Sequence, residues 1–474
     1  MSESGRERPD LSGSRRVHVI GAGGSGMSAI ATVLLAMGHR VSGSDAAESP
    51  ALRRLAAEGA RVAAGHDPAL LEGAEVVVRS TAVPDDDPEV RAARAAGLEV
   101  WRRADVLAAI CRLRRTVAVS GTHGKTTTSS MMAVTLQHLG WHPSMVVGGQ
   151  IAGIGPGARW DPEGEWFVVE ADESDGTFVE LGAEAALVTS VEADHLEFYG
   201  GLAGLEAAFE RFVAEPTGPV VLCADDPGAR RLVGARREGP LLTYGLDAGA
   251  DLVVSDVELD RHGARFQLRM SGPGRAQRRG RVTLTVPGLH NVRNAAATVA
   301  MTTALGAEWP AVLQAVGEYR GVGRRFESRG EVAGVAFVDG YDHLPTEVAA
   351  AIATARSGGW PRIVAVFQPH RYSRTEALWR DFADCFTEAD VVVITGIYAA
   401  GEAPRPGVTG ELVFEAVRSA HPGLDVRYAP DLVAAEDLVA GLLREGDLCL
   451  TLGAGDVTTL PDRLKARLGQ ERGR

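Results

Sequence analysis

Of the 49 basic residues in this 474-residue chain, only Lys125 and Lys465 are lysine. A bias that turned nearly every other cation into arginine spared position 125, which points to a site needing a compact ammonium rather than a planar guanidinium. Lys465 sits in the polar C-terminal segment and carries no such context. Cysteine is sparse as well. Cys111, Cys223, Cys385 and Cys449 lie far apart with no CxxC pair, which speaks against a zinc cluster or a disulfide framework and suits buried thiols in a reducing, cytoplasmic setting. No apolar run approaches the length needed to cross a bilayer. The first fifteen residues have no apolar core of the kind a signal peptide needs and read as a disordered tail. Positive charge is also in deficit. A formal net charge of −13 argues against nucleic-acid or anionic-membrane partners, both of which need a basic footprint. Anionic substrates must then be held by local clusters of donors.

A hydrophobic fraction of 45% fits a globular protein, and the length is too great for one core, so several domains are expected. The fold class is α/β. Short Val/Ile runs alternate with helical patterns from residue 16 to about 110, with strands expected at 17–20 and 76–80 and a helix at 26–37. A second segment starts with a strand at 116–120 and continues with apolar runs at 166–169, 186–189 and 219–223. Residues 250–287 alternate apolar and polar positions, as antiparallel strands added to that core would, and 272–280 reads as an exposed hairpin turn. A third segment, from about 324, returns to βαβ rhythm, with strands expected at 335–338, 363–367, 391–394 and 448–452.

Two glycine-rich turns follow expected strands. GAGGSG at 21–26 fits G-x-G-x-x-G: Gly21, Gly23, Gly24, Ser25 and Gly26 would let a pyrophosphate approach backbone amides at a helix start. Asp45, beyond a second short strand, is placed to meet a ribose hydroxyl. This pattern does not distinguish NAD from another nucleotide diphosphate. SGTHGKTT at 120–127 is more specific. It resembles a P-loop, although its first glycine lies closer to the lysine than G-x-x-x-x-G-K allows. Gly121, Thr122, His123, Gly124 and Thr127 would cradle phosphates, Lys125 would reach the β- and γ-phosphates, and the Thr126 hydroxyl would face Mg²⁺. Acidic groups follow two further strands: Glu170, Asp172, Glu173 and Asp175, then Glu192, Asp194 and His195. Both would stand at carboxyl strand ends beside the P-loop, and hard oxygen donors suit Mg²⁺.

Taken together, GAGGSGMS (21–28), SGTHGKTTT (120–128), EADESDGTF (170–178), EADH (192–195), PGLHNVRNA (287–295), GVGRRFE (321–327), FQPHRYSRT (367–375), YAAGE (398–402) and GAGD (453–456) resemble, in order, the motifs of the Mur ligase family. The resemblance covers nearly the whole chain. It implies a Rossmann-like N-terminal domain for a UDP group (16–111), a P-loop-type central ATPase domain with a mixed sheet (112–323) and a Rossmann-like C-terminal domain (324–474). It implies ligation of L-alanine to the carboxylate of UDP-N-acetylmuramate, with ATP as co-substrate and Mg²⁺ as cofactor, by a monomer or homodimer. On matching positions, Lys125 would stabilise the transferring phosphoryl group. Thr126 and Glu173 would hold one Mg²⁺, and His195 a second. Asn291 would contact adenine and Arg325 a phosphate. Arg371, Arg374, Tyr341 and His343 would surround the muramoyl carboxylate and the incoming alanine. Ser80 would join the glycine loop and Asp45 at the UDP-sugar.

The chain departs from the family's Asp-Asp-Tyr-(Ala/Gly)-His-His-Pro run. Gly340 stands where the second aspartate is expected and an acid appears at Asp342, while Leu344 replaces one imidazole. Loss of one neutral hydrogen bond costs about 1 kcal/mol. The expectation is that the chain bends at Gly340 and Asp342 partly takes over the ribose contact. Three rivals remain at this point. One is a sister ligase that attaches a ready-made peptide to the same sugar, and a second is a nicotinamide oxidoreductase suggested by the first glycine loop alone. The third is a weakened sugar-binding protein, which Gly340 would suit.

Overall fold

The computed structural model describes residues 9–236, 238–272 and 275–471. It divides into two compact units, residues 1–255 with 267–282 and 293–319, and residues 256–266 with 283–292 and 320–474. Of the expected N-terminal tail, residues 1–8 lie outside the described residues. Residues 9–15 are mostly exposed, but contacts tie them down. Leu11 is buried, and the Arg15 amide donates to His39 Nδ1 at 3.1 Å.

Five parallel strands open the first unit: β1 (Arg16–Ile20), β2 (Arg40–Asp45), β3 (Arg61–Ala64), β4 (Val76–Arg79) and β5 (Glu99–Arg102). Their order is β3-β2-β1-β4-β5. The order in which strands are added reverses between β1 and β4, and open parallel sheets bind ligands in the crevice at such a point. Val17, Val19 and Ile20 are buried, because helices cover both faces of a parallel sheet and its central strands read as unbroken β-branched runs.

The second sheet has ten strands: β6 (Arg115–Ser120), β7 (Ser144–Ile151), β8 (Gly155–Arg159), β9 (Trp166–Glu170), β10 (Ala185–Val188), β11 (Val220–Cys223), β12 (Leu241–Gly245), β13 (Leu252–Asp260), β14 (Gly263–Gly272) and β15 (Arg275–Leu284). They run in the order β15-β14-β13-β12-β11-β10-β6-β9-β7-β8. The sheet is mixed. β6, β9 and β10 are parallel neighbours, whereas β7 and β8 pair antiparallel. At the far edge Ser271, late in β14, donates its amide to Asp251 O just before β13, so these two strands run in opposite directions. The tip of the expected hairpin, 273–274, lies outside the described residues.

The second unit holds β16 (Glu327–Val332), β17 (Val335–Gly340), β18 (Arg362–Phe367), β19 (Val391–Thr395), β20 (Asp425–Ala429) and β21 (Asp447–Leu452), ordered β16-β17-β21-β18-β19-β20. Only β16 is antiparallel to its neighbour. Side-chain alternation divides β18 between two cores: Ile363, Ala365 and Phe367 enter one and Val364 and Val366 the other. No helix among the described residues is long and apolar enough to cross a membrane.

Candidate active site

The order β10-β6-β9 brings the glycine-rich turn and the two acidic turns of the central sheet to one edge. Ser120 ends β6, Glu170 ends β9, and the segment leading to His195 follows β10. The turn after β6 is wrapped tightly. Gly121 has φ +132, and a Cβ there would lie 2.2 Å from Thr189 Oγ1. The Thr122 amide donates to Ser190 O at 2.9 Å, and the His123 amide donates to Ser190 Oγ at 3.0 Å. Gly124, at φ +81, precedes the helix Lys125–His138. The amide groups that open this helix have no partner within it and suit phosphate oxygens.

Lys125 folds back into this turn. Its ammonium donates to Gly121 O at 2.8 Å and Thr122 O at 3.2 Å and meets the Glu173 carboxylate at 2.8 Å. Burial works against the ammonium, but the charges of Glu173, Asp172 and Glu170 outweigh it and raise its pKa. Burial pushes Glu173 up to about 7, against the pull of Lys125. The Thr126 hydroxyl donates to Glu170 Oε1 at 2.7 Å, and the second Glu170 oxygen accepts the Gly148 amide at 2.7 Å. Glu170 therefore holds Thr126, a role the sequence motif did not assign. His195 stands at φ +53 before the short helix Leu196–Tyr199, with Nε2 at 3.3 Å from Asp194 Oδ2.

These groups fit a magnesium ion. Glu173 Oε2 is buried and receives no hydrogen bond of good geometry, and Thr126 adds a hard oxygen donor. Magnesium needs few protein donors, because it keeps waters and substrate oxygens in its shell. Among the described residues the compact His/Asp/Glu cluster lies elsewhere, at His66, Asp87 and Glu89. There Glu89 is already engaged by Ser44 Oγ at 2.5 Å, His18 Nε2 at 3.2 Å and the Asp67 amide at 2.8 Å.

The first glycine turn sits at the β1/β4 reversal. Ser44 O accepts the Gly21 and Ala22 amides at 2.8 and 2.9 Å, so the Glu89 network braces the strand that pins the turn. Asp45 Oδ2 accepts the Gly23 amide at 2.8 Å. Ser80, just beyond β4, faces Gly21, where a Cβ would come within 3.0 Å of it. Arg103 packs over Gly26 and reaches Asp175 Oδ2 at 3.4 Å, a guanidinium at the loop that no motif signalled. A cavity of about 650 Å³ opens beside it, lined by Thr81, Arg102, Asp175, Tyr199 and Arg211.

The second unit gathers its own cluster at the carboxyl ends of β17 and β18. The Arg324 and Arg325 guanidinium groups lie 4.7 and 5.1 Å from the Tyr341 ring centroid. Tyr341, His343, His370 and Tyr398 follow as an aromatic row with ring centroids 5.4 to 5.8 Å apart. Arg374 reaches His370 Nδ1 at 3.1 Å. Burial keeps both imidazoles neutral. The His343 pKa is lowered and that of His370 falls to about 3. Asn291 is buried and donates to Pro287 O at 2.7 Å. The expected bend at Gly340 is absent. Gly340 is the last residue of β17, in register with Leu452. A Cβ at 340 would lie 2.0 Å from Asp342 Oδ2, so a side chain there would need that carboxylate to move aside.

Three family models match in sequence: "Mur ligase family, catalytic domain" over 16–115, "Mur ligase middle domain" over 119–302 and "Mur ligase, glutamate ligase domain" over 324–455. The chain belongs to the Mur ligase family. The first match takes in β1–β5, the second β7–β15 and the third β16–β21. Among Mur ligases, the UDP-N-acetylmuramate–L-alanine ligase of Solidesulfovibrio magneticus is 45% identical over 94% of this chain and 96% of its own. The crystal structure of the UDP-N-acetylmuramate–alanine ligase of Thermotoga maritima, 28% identical, matches with a TM-score of 0.80 over 97% of this chain and 100% of its own. A murein peptide ligase of Psychrobacter arcticus, 22% identical, matches over 96% of this chain and 99% of its own with a TM-score of 0.68 and shares the fold.

Proposed function

We propose that this Mur ligase joins L-alanine to the lactyl carboxylate of UDP-N-acetylmuramate at the expense of ATP, a peptide-building step of peptidoglycan synthesis. The observation that carries the reading is the near end-to-end likeness, at 45% identity, to an L-alanine ligase of that sugar nucleotide. The P-loop and acidic turns leave the nicotinamide reading unsupported, and the buried Lys125–Glu173 pair speaks against a binding-only role.

A carboxylate is a poor electrophile until one oxygen becomes a phosphate leaving group. The muramoyl carboxylate attacks the γ-phosphorus of ATP, and ADP leaves. The alanine amine then attacks the acyl carbon and phosphate departs. Catalysis is mostly charge neutralisation and alignment of anionic reactants. Lys125 follows the transferring phosphoryl group, and the 121–127 turn holds the phosphates through the amides that open the helix Lys125–His138. Mg²⁺, when bound, supplies positive charge against the triphosphate, with Thr126 and Glu173 as ligands for one ion and His195 for a second. In the same reading Gly21, Gly23, Gly24, Ser25, Gly26, Asp45 and Ser80 take the UDP-sugar. Asn291 meets adenine, Arg325 a phosphate and Asp342 the ribose. Arg371, Arg374, Tyr341 and His343 surround the two carboxylate-bearing substrates. Domains 16–111, 112–323 and 324–474 carry the sugar nucleotide, the ATP and the groups around the two carboxylates, in a cytoplasmic monomer or homodimer.

Phosphate release from MgATP tests this. With UDP-N-acetylmuramate present, release should depend on L-alanine and not on a wall tripeptide; dependence on the tripeptide alone would overturn the reading.

A further inference from the structure

The YAAGE segment at 398–402 has no part in the mechanism above, yet the fold uses it to hold the chain that carries Arg371. Tyr398 forms a parallel β-bridge with His370. Its amide donates to Pro369 O at 2.9 Å, its carbonyl accepts the Arg371 amide at 2.8 Å, and its ring stacks on His370 at 5.7 Å and 13°. A tight turn follows. Ala400 and Gly401 both have positive φ, 49° and 86°, and the Glu402 amide donates to Ala399 O at 3.0 Å. The turn sends the Glu402 carboxylate back onto Ser373, where one oxygen accepts the amide at 2.9 Å and the other the hydroxyl at 2.6 Å.

Arg371 lies between these anchors at φ 68 and ψ 140. A non-glycine side chain held at positive φ persists only where its surroundings over-determine it. Tyr398 fixes its amide, and Glu402 fixes the chain two residues later. The Arg371 carbonyl accepts both the amide and the hydroxyl of Thr375, at 3.1 and 2.8 Å, so the short helix Tyr372–Leu378 carries Arg374 from the same pivot. Burial would raise the Glu402 pKa, but the two bonds from Ser373 lower it, so the acceptor stays charged at neutral pH.

We propose that Glu402 is a positioning residue for Arg371 and Arg374, holding their backbone in the conformation that presents both guanidinium groups to the substrate carboxylates. The inference rests on the substrate roles given to those arginines above. Glu402 itself touches no substrate. Without it the Ser373 amide and hydroxyl lose their acceptor, residue 371 relaxes to negative φ, and both side chains swing. Misplacement of this kind weakens productive binding without removing a charge from the site.

Steady-state kinetics of Glu402→Ala, Glu402→Gln, Arg371→Ala and the Arg371→Ala/Glu402→Ala double variant test it, with thermal melting as the control for folding. Glu402→Ala should raise KM for UDP-N-acetylmuramate and alanine about tenfold and leave KM for ATP unchanged. Glu402→Gln, which keeps an acceptor oxygen, should recover most of that loss. The double variant should lose less than the two single losses combined, because only the part of the Glu402 effect that acts through Arg374 remains. Should the Ala variant fail to fold, Ser373→Ala removes only the hydroxyl bond and should raise the same two KM values less. Unchanged KM values in Glu402→Ala, an equal rise for ATP, or additive losses in the double variant would overturn the proposal while leaving the substrate reading in place. Normal KM values in Arg371→Ala would sink the substrate reading, and the inference with it.

Discussion

The Lys125 ammonium and the Glu173 carboxylate stand 2.8 Å apart, with side chains 15% and 1% exposed. Two backbone carbonyls complete the ammonium's socket. A guanidinium is too broad to enter between those carbonyls and too rigid to bend back over the loop. Lys125→Arg should therefore fail to rescue activity, with kcat/KM down by about 100-fold or more, in a protein whose melting temperature stays within a few degrees of the parent. A near-parental rate would show that charge alone suffices at this position.

Glu170 bonds both Thr126 Oγ1 and the Gly148 amide, so it orients the hydroxyl proposed as a magnesium ligand. Partners one shell out from a metal typically affect its affinity tenfold or more. In Glu170→Ala, the Mg²⁺ concentration giving half-maximal rate should rise about tenfold, with KM for the sugar nucleotide unaltered. A Mg²⁺ titration of initial rates measures this directly.

Gly340 and Asp342 are an exchanged pair. The carboxylate of one fills the space where a side chain on the other would begin. Gly340→Asp in the parent should lower the melting temperature and raise KM for ATP. Adding Asp342→Gly should reverse both changes by restoring the arrangement common in the family. Asp342→Ala alone should raise KM for ATP several-fold, as loss of a hydrogen bond worth about 1 kcal/mol does.

The same carboxyl group makes stability depend on pH. Burial pushes Asp342 up to about 7, the negative Glu347 adds to the rise, and Arg325 opposes it. A folded-state pKa above the unfolded value of 3.8 means the folded protein favours the proton. That contribution is complete below the unfolded value and is lost as pH rises through 7. Asp342→Asn should lose this slope, so its melting temperature should gain a few degrees on the parent between pH 5 and pH 8. Parallel melting curves across that range would contradict the assignment.

Much of the scaffold was legible because parallel strands buried on both faces leave unbroken β-branched runs, as in β1, β4, β6 and β9. Half-exposed edge strands, and inner strands broken by glycine, leave no such mark. β16 reads ESRGEV with alternating partial burial, β20 reads DVRYA, and Gly148 and Gly149 interrupt β7. None of them was foreseen. At the site, glycine turns and acid clusters after buried strands announced themselves by spacing. Glu170 stood out only as one acid of a cluster, without its hold on Thr126, and Arg103 not at all, because their importance lies in which neighbours the fold brings to them. The bend expected at Gly340 was inferred from residue type alone, whereas the structure uses that glycine for room beside Asp342.

The most direct test of the whole account is phosphate release from MgATP by Lys125→Ala in the presence of both UDP-N-acetylmuramate and L-alanine. The variant should fold, melt near the parental temperature and release almost no phosphate. Release at the parental rate would contradict the assignment of this ammonium to the transferring phosphoryl group.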